Sequence, residues 1–346
     1  MNSFAIYRMP YAQHCTLVKG EAVTLPSLSS LHTHRGFVIA PFIASPQTPI
    51  VLIRPDRPIL TLSLQGEQQM VLPTDLYLKE GQQEEGSSSY AADFATFHRA
   101  LTDGQFQKLV LARQASMPRR ADTLPADLFL KACQSYPRMF IALVTTPQTG
   151  TWLIASPEIL IERHADRWRT IALAGTMKEG QQQDWTHKDI EEQRFVATYI
   201  AECLQTRAHD IVQEGPRTVG AAHLLHLRTD FTFQLNDGEQ LGSLVEALHP
   251  TPAVCGLPKA EAQAFIAEHE AAPRLYYSGF MGPVAADDDD VLQTHLYVAL
   301  RCMQITSKAY RLYAGGGLLP ESVEQAEWLE TETKMDTMRR LLDGER

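Results

Sequence analysis

The chain lacks any apolar run of the roughly 18 residues that a membrane-spanning helix needs, so no membrane span is expected. The opening MNSFAIYRMPYAQHC has neither the basic start nor the long apolar stretch of a signal peptide, and a cytoplasmic location is the expectation. An excess of positive charge is also missing. The formal net charge is -10, which speaks against nucleic-acid binding, a task that needs a basic face. An anionic substrate would therefore have to be held by a few local cations or by a metal. The five cysteines (Cys15, Cys133, Cys203, Cys255, Cys302) are scattered without zinc-type pair spacing, and their odd number suits reduced thiols. Neither GxGxxG nor GxxxxGK[ST] occurs, and no internal repeat is found.

What is present is an ordinary globular composition, 44% hydrophobic and 21% charged over 346 residues, enough for one large domain or two subdomains. GQQEEGSSS (81–89) reads as a polar surface loop. It divides a strand-rich part (1–89), expected within the same domain, from the rest of the chain (90–346). Tyr90, Phe94, Phe97 and Leu101 recur at helical spacing, and that helix should end near Asp103 or Gly104. FQKLVLAR (106–113) reads as a strand with Phe106, Lys108, Val110 and Ala112 on one face. Strands are expected at 139–145, 151–155, 159–162, 168–173, 275–284, 292–305 and 309–314. Helices are expected at 184–206, from Pro258 through AEAQAFIAEH, and at 322–342. Clustered strands with helices between the clusters give an α+β fold of mostly antiparallel sheets, with helices packed outside.

Three patterns bear on chemistry. On the last helix Glu327, Glu330, Lys334, Met338 and Leu341 share one face, so two carboxylates and an ammonium continue an apolar stripe. This is either an exposed Glu330–Lys334 salt bridge or part of a hard-cation site. On the helix after Asp184, Asp189, Glu192, Val196 and Ile200 form a similar stripe, though acids in a first turn also suit the helix dipole. Lys108 is unusual inside an apolar strand face. Either it reaches water from an edge, or it is buried, in which case its pKa falls and it becomes a candidate base. Other features read more plainly. AGGGLLPES (314–322) is a turn, unless its glycines let backbone N–H groups approach an anion. ADDDD (286–290) is a solvated hairpin turn rather than a calcium loop. His223 and His226, three apart, lack a third ligand and read as packed histidines.

Ten segments, in order, resemble the chorismate-utilising enzymes, which include the makers of isochorismate, salicylate, anthranilate and aminodeoxychorismate. They are QKLVLAR (107–113), ASPEIL (155–160), LAGT (173–176), DIEEQ (189–193), LHL (225–227), HPTPAVCG (249–256), RLYYSG (274–279), LRC (300–302), AGGGLLPES (314–322) and EWLETETK (327–334). The resemblance covers residues 106–342 and implies that family's α+β fold, with the active site in a cleft between two subdomains. Lys108 stands where the ammonia-using enzymes typically carry glutamine, and HPTPAVCG has the isochorismate-synthase form. The implied activity is the Mg²⁺-dependent conversion of chorismate to isochorismate, which feeds menaquinone or siderophore synthesis, without a glutaminase subunit; the oligomeric state is left open, with a monomer as the default.

The resemblance implies roles residue by residue. Lys108 is the base that activates water against carbon 2. Glu158 is the acid that protonates the hydroxyl leaving carbon 4. Glu192 and Glu330 are magnesium ligands, with Asp189 and Glu327 holding water around the metal. Arg301, Tyr277, Lys334 and the backbone of Gly315 and Gly317 grip substrate carboxylates, and Gly175, Thr176 and His226 wall the ring. The chain departs from the family at Gln193, where many relatives have histidine, and at Gly316, where alanine is common and where the loop is expected to be looser. The region before Phe106 is short and matches poorly. The alternatives are a salicylate synthase, with a pyruvate-eliminating step in the same pocket, and a non-catalytic chorismate or metal binder. Retention of Lys108, Glu158, Glu192 and Glu330 together opposes the second.

Overall fold

The computed structural model describes residues 3–64, 76–80, 90–120, 122–180, 184–285 and 293–343. The 81–89 segment, read above as a surface loop, and ADDDD (286–290), read as a hairpin turn, lie outside the described residues. The first strands are β1 (Ser3–Arg8), β2 (His14–Leu25), β3 (Gly36–Ala40), β4 (Ile50–Pro55) and β5 (Leu60–Ser63). Helix α1 (Tyr90–Thr102), β6 (Lys108–Pro118), α2 (Pro125–Ser135), β7 (Phe140–Thr146), β8 (Gly150–Ser156), β9 (Ile159–His164) and β10 (Arg167–Lys178) follow. Then come α3 (His187–Gln205), β11 (Ala208–Ala221), β12 (Leu224–Leu235), α4 (Leu241–Leu248), β13 (Gly256–Leu257) and α5 (Lys259–His269). The chain ends with β14 (Phe280–Val284), β15 (His295–Val298), β16 (Cys302–Ile305), β17 (Ala309–Leu318) and α6 (Glu324–Leu342).

Every strand pairing among the described residues is antiparallel. The pairings trace one path, β11–β12–β10–β9–β15–β14–β3–β4–β2–β1–β7–β8–β16–β17–β6–β13, with β5 also on β2. Residues before 90 are woven into the later sheet, β1 beside β7 and β3 beside β14. Strand alternation sorts the side chains into layers. Phe4 and Ile6 pack outward under α2 and α6, beside Phe129, Met335 and Met338. Ala5 and Tyr7, one residue out of phase, enter an inner cluster with Phe140, Trp152 and Tyr297. On the other outer face Val196 and Ile200 of α3 and Leu244 and Val245 of α4 cover Phe231, Phe233 and Phe280. Each such burial contributes about 1.5–3 kcal/mol, and both sheet faces are covered, which is why the strands read as near-continuous apolar runs.

Three expectations are corrected. The strand expected from 275 begins only at Phe280. Leu275 and Ser278 have φ of 52 and 61, a left-handed backbone that cannot continue a strand. The strand expected at 292–305 is two, β15 and β16, broken at Arg301, whose φ is 45. The glycines of AGGGL are not a turn or a loop. They continue β17 and pair with β6, Gly315 opposite Ala112 and Gly317 opposite Val110.

Candidate active site

Lys108 opens β6. Leu109 and Leu111 turn into the cluster with Phe97 of α1 and Ile266 of α5, so Lys108 and Val110 face the other way, into a cavity. That cavity is also walled by Glu158, Gly175, Thr176, Glu192, His226, Tyr277, Arg301, Gly315, Gly317, Glu330 and Lys334. Twelve of the fourteen residues named from the sequence therefore meet in one place. Asp189 and Glu327 do not line it.

Of the two readings of Lys108, burial is the observed one, with 1% of the residue exposed. Its Nζ lies 3.4 Å from Glu192 Oε1. Burial pushes the ammonium's pKa down, and the Glu192 charge only partly opposes this. Glu158 sits between β8 and β9. Its N–H donates to Ser156 Oγ at 3.2 Å, and Ser156 Oγ donates to the Val298 carbonyl at 2.6 Å. Burial pushes the Glu158 carboxyl up to about 7, while the Lys108 and Arg301 charges restrain it.

The acids come from two helices. Thr186 caps α3 through a reciprocal box with Asp189: the Asp189 N–H donates to Thr186 Oγ1, and Asp189 Oδ2 accepts from the Thr186 backbone. One turn on, Glu192 is buried at the cavity wall. From α6, Glu330 pairs with Lys334 at 2.5 Å as the i,i+4 spacing foretold, but the pair is largely buried rather than exposed. Burial works against ionisation of Glu330, yet the Lys334 and Lys188 ammoniums outweigh it and hold the carboxyl well below its usual range. Glu327, raised by burial and by the Glu330 charge, takes Lys188 Nζ at 2.8 Å on Oε1. Its buried Oε2 has no hydrogen-bond partner among the described residues.

The glycines of β17 explain themselves here. The N–H groups of Ala112 and Val110 donate to Glu270 Oε1 and the Cys255 carbonyl, away from β17. The opposed Gly315 and Gly317 therefore turn their main-chain groups to the far edge, where pairing with β16 has ended at Tyr313. Lys334 Nζ donates to the Gly315 carbonyl there at 2.8 Å. A Cβ on Gly315 would fall 2.9 Å from Tyr277 Oη, and one on Gly316 would fall 3.3 Å from Glu327 Oε2.

The remaining wall is fixed by two irregularities. Pairing of β10 with β12 shifts register between Ala174 and Met177, and Gly175 at φ +70 turns its carbonyl to His226 Nδ1 at 2.7 Å. His226 Nε2 then accepts from Arg301 Nη2 at 3.1 Å. Burial, with Arg301 adding, lowers the His226 pKa to about 3, so the imidazole is neutral and donates through Nδ1. His223 lies outside this cavity, so the pair does not converge. Gln193 donates to the Ala172 carbonyl and Thr229 Oγ1.

Two features were missed in the sequence. Lys188 faces the acids, and its i,i+4 spacing to Glu192 was a usable signal. Arg274 and Glu270, joined at 2.6 Å and both buried, tie α5 to β6 and to the 249–256 segment, since Arg274 also donates to the Val110 and Val254 carbonyls.

The acid set suits a hard divalent cation. Glu192 and Glu330 present oxygen ligands only, Gly317 leaves the space that Glu192 Oε1 occupies, and Gly316 faces Glu330 and the buried Glu327 Oε2, which has no hydrogen-bond partner among the described residues. Asp189 is committed to its cap through Oδ2.

Comparison with known proteins gives consistent matches. Residues 22–343 match the family model described as chorismate binding enzyme. The isochorismate synthase EntC of Escherichia coli strain K12 is 29% identical over 245 residues, 68% of this chain and 62% of that protein. The isochorismate synthase MenF of the same strain is 30% identical over 257 residues, 71% of this chain and 58% of that protein. The matched stretch thus spans under two thirds of these relatives' length. In fold, a putative 2,3-dihydroxybenzoate-specific isochorismate synthase from Bacillus anthracis superposes with a TM-score of 0.81 at 22% identity, covering 98% of this chain and 96% of that one. Anthranilate synthase component I from Streptococcus pneumoniae gives 0.67 at 16% identity, covering 92% and 80%. No helix among the described residues is long and apolar enough to cross a membrane.

Proposed function

The chain belongs to the chorismate-binding enzymes, and from that premise we propose that it is a magnesium-dependent isochorismate synthase. One observation carries the reading. A lysine and a glutamic acid share one cavity, and burial drives both toward their uncharged forms. That is the pair of states the reaction needs at its start. Neutral Lys108 takes a proton from the water that bonds to carbon 2 of chorismate. The ring double bonds shift, and the carbon 4–oxygen bond breaks. Protonated Glu158 gives its proton to that oxygen, which leaves as water. One water enters and one departs, so the product is an isomer, and proton exchange returns Lys108 and Glu158 to their starting states.

Arg301, Lys334 and the outward-facing main-chain groups of Gly315 and Gly317 hold the two substrate carboxylates. The neutral His226 fixes the direction of Arg301. Glu192 and Glu330, with Glu327 and Asp189 behind them, would hold the magnesium. When bound, the ion supplies charge neutralisation and orientation for a substrate carboxylate. Lys108, at the position where the resemblance sets glutamine in the ammonia-using enzymes, supports water rather than ammonia as the nucleophile.

The test is to incubate metal-stripped protein with chorismate, with and without Mg²⁺, and to resolve the products by chromatography with mass detection. A magnesium-dependent isomer of unchanged mass, formed reversibly, is expected. Salicylate with pyruvate would move the assignment to a salicylate synthase. Absence of turnover by folded protein would leave a binding role.

A further inference from the structure

On the opposite end of β9 from Glu158, a second group of potential ligands forms outside the cavity. Glu162 and His164 are two apart on β9 and so share a face. His295, the first residue of β15, is registered directly opposite Glu162. The glutamate and histidine ligand atoms all lie within 4.8 Å of one another. His164 Nε2 is 3.0 Å from Glu162 Oε1, and His295 Nδ1 is 3.6 Å from Glu162 Oε2. Ligands about 2.0–2.1 Å from a tetrahedral ion stand about 3.3 Å apart, and these two separations bracket that value. His295 Nδ1 is buried and has no hydrogen-bond partner among the described residues, although the carboxylate faces it. The trio opens on a cleft of about 680 Å³, so water can complete a coordination shell.

We propose that Glu162, His164 and His295 form a divalent transition-metal site, of the zinc and cobalt class, that clips β9 to β15. Two imidazoles and one carboxylate favour such an ion over Mg²⁺, which takes oxygen ligands. Arg169 donates through Nη1 to Glu162 Oε1 at 2.9 Å and so competes for it. Its Nε and Nη2 both donate to Asp230 Oδ1, at 3.1 and 2.6 Å, so the guanidinium keeps a carboxylate if it yields Glu162. Glu162 Oε2, whose other neighbour is the Tyr297 hydroxyl at 3.5 Å, faces the unpartnered imidazole nitrogen. The clip fastens the strand pair whose other end carries Glu158, since the Val298 N–H donates to the Glu158 carbonyl at 3.0 Å. A proton on His295 Nδ1, making an ion pair with Glu162, is the competing occupant.

The full-length, metal-stripped protein with Mg²⁺ in excess is titrated with Zn²⁺ by calorimetry, and with Co²⁺ by visible absorption. One equivalent is expected, with a low-symmetry Co²⁺ spectrum that lacks a thiolate charge-transfer band, and Zn²⁺ should raise Tm. The His164 side chain is 58% exposed, so His164→Ala folds normally, and it should weaken Zn²⁺ binding at least tenfold and abolish the Tm shift. His295→Ala should do the same. Unchanged one-equivalent binding in either variant overturns the site. So does the absence of Zn²⁺ uptake by the wild-type protein, in which case the proton is the occupant.

Discussion

A Cβ on Gly317 would fall 1.5 Å from Glu192 Oε1, so the strand that carries the glycines and the helix that carries the acid touch with no room for a side chain. Lys108 Cε lies 2.9 Å from the same point. Gly317→Ala should therefore displace both the candidate ligand and the candidate base. The expected outcome is Mg²⁺ affinity about 10–100-fold weaker, the range typical when a metal ligand's support is lost, together with a fall in kcat. Calorimetric Mg²⁺ titration and steady-state rates check this.

Lys108→Ala and Glu158→Gln should each lower kcat by about 10²–10⁴-fold, the usual contribution of a positioned base or acid. Circular dichroism and gel filtration should show the fold retained. Near-full activity in either variant would refute the role assigned to that residue.

The raised carboxyl of Glu158 gives a signed pH dependence. Its pKa is about 7 folded against an ordinary 4.5, so the folded state binds the proton more tightly. Unfolding releases that proton across this window, and stability falls as pH rises from about 4.5 to about 7. Compared with Glu158→Gln, the wild-type protein should lose Tm over that interval and hold a constant difference above it. If the difference is flat from acid to neutral pH, Glu158 is not raised. The same ionisation predicts that kcat/KM falls above about pH 7 as the acid is lost.

Glu270→Ala would leave the Arg274 guanidinium buried without its counter-charge and free the Ala112 N–H. Breaking such a pair costs about 3–5 kcal/mol. Denaturant titration should show the midpoint lowered accordingly. Glu270→Gln, which keeps the acceptor for Ala112, should cost less.

What the sequence determined by itself is local in origin. Helical spacing put Glu327, Glu330 and Lys334 on one stripe and Glu192 ahead of Val196 and Ile200, because 3.6 residues per turn is a property of the backbone alone. Strand alternation likewise put Lys108 and Val110 on one face. Ten short segments in order carried the family. Tertiary structure alone decided what those faces meet. Whether Lys108 reached water or was buried depended on β17 and α3, far away in sequence, and only burial moves Glu158 toward neutrality. The glycines after Tyr313 look like a turn in sequence. They are a strand because β6 pairs with them, and Gly315 and Gly317 line the cavity where β16 stops short of them. Asp189 shares the stripe of Glu192, and the geometry of the helix start sets one of its two oxygens, Oδ2, on Thr186. Glu162, His164 and His295 gave no sequence signal as a group, because β15 is brought beside β9 by strand register and not by spacing along the chain.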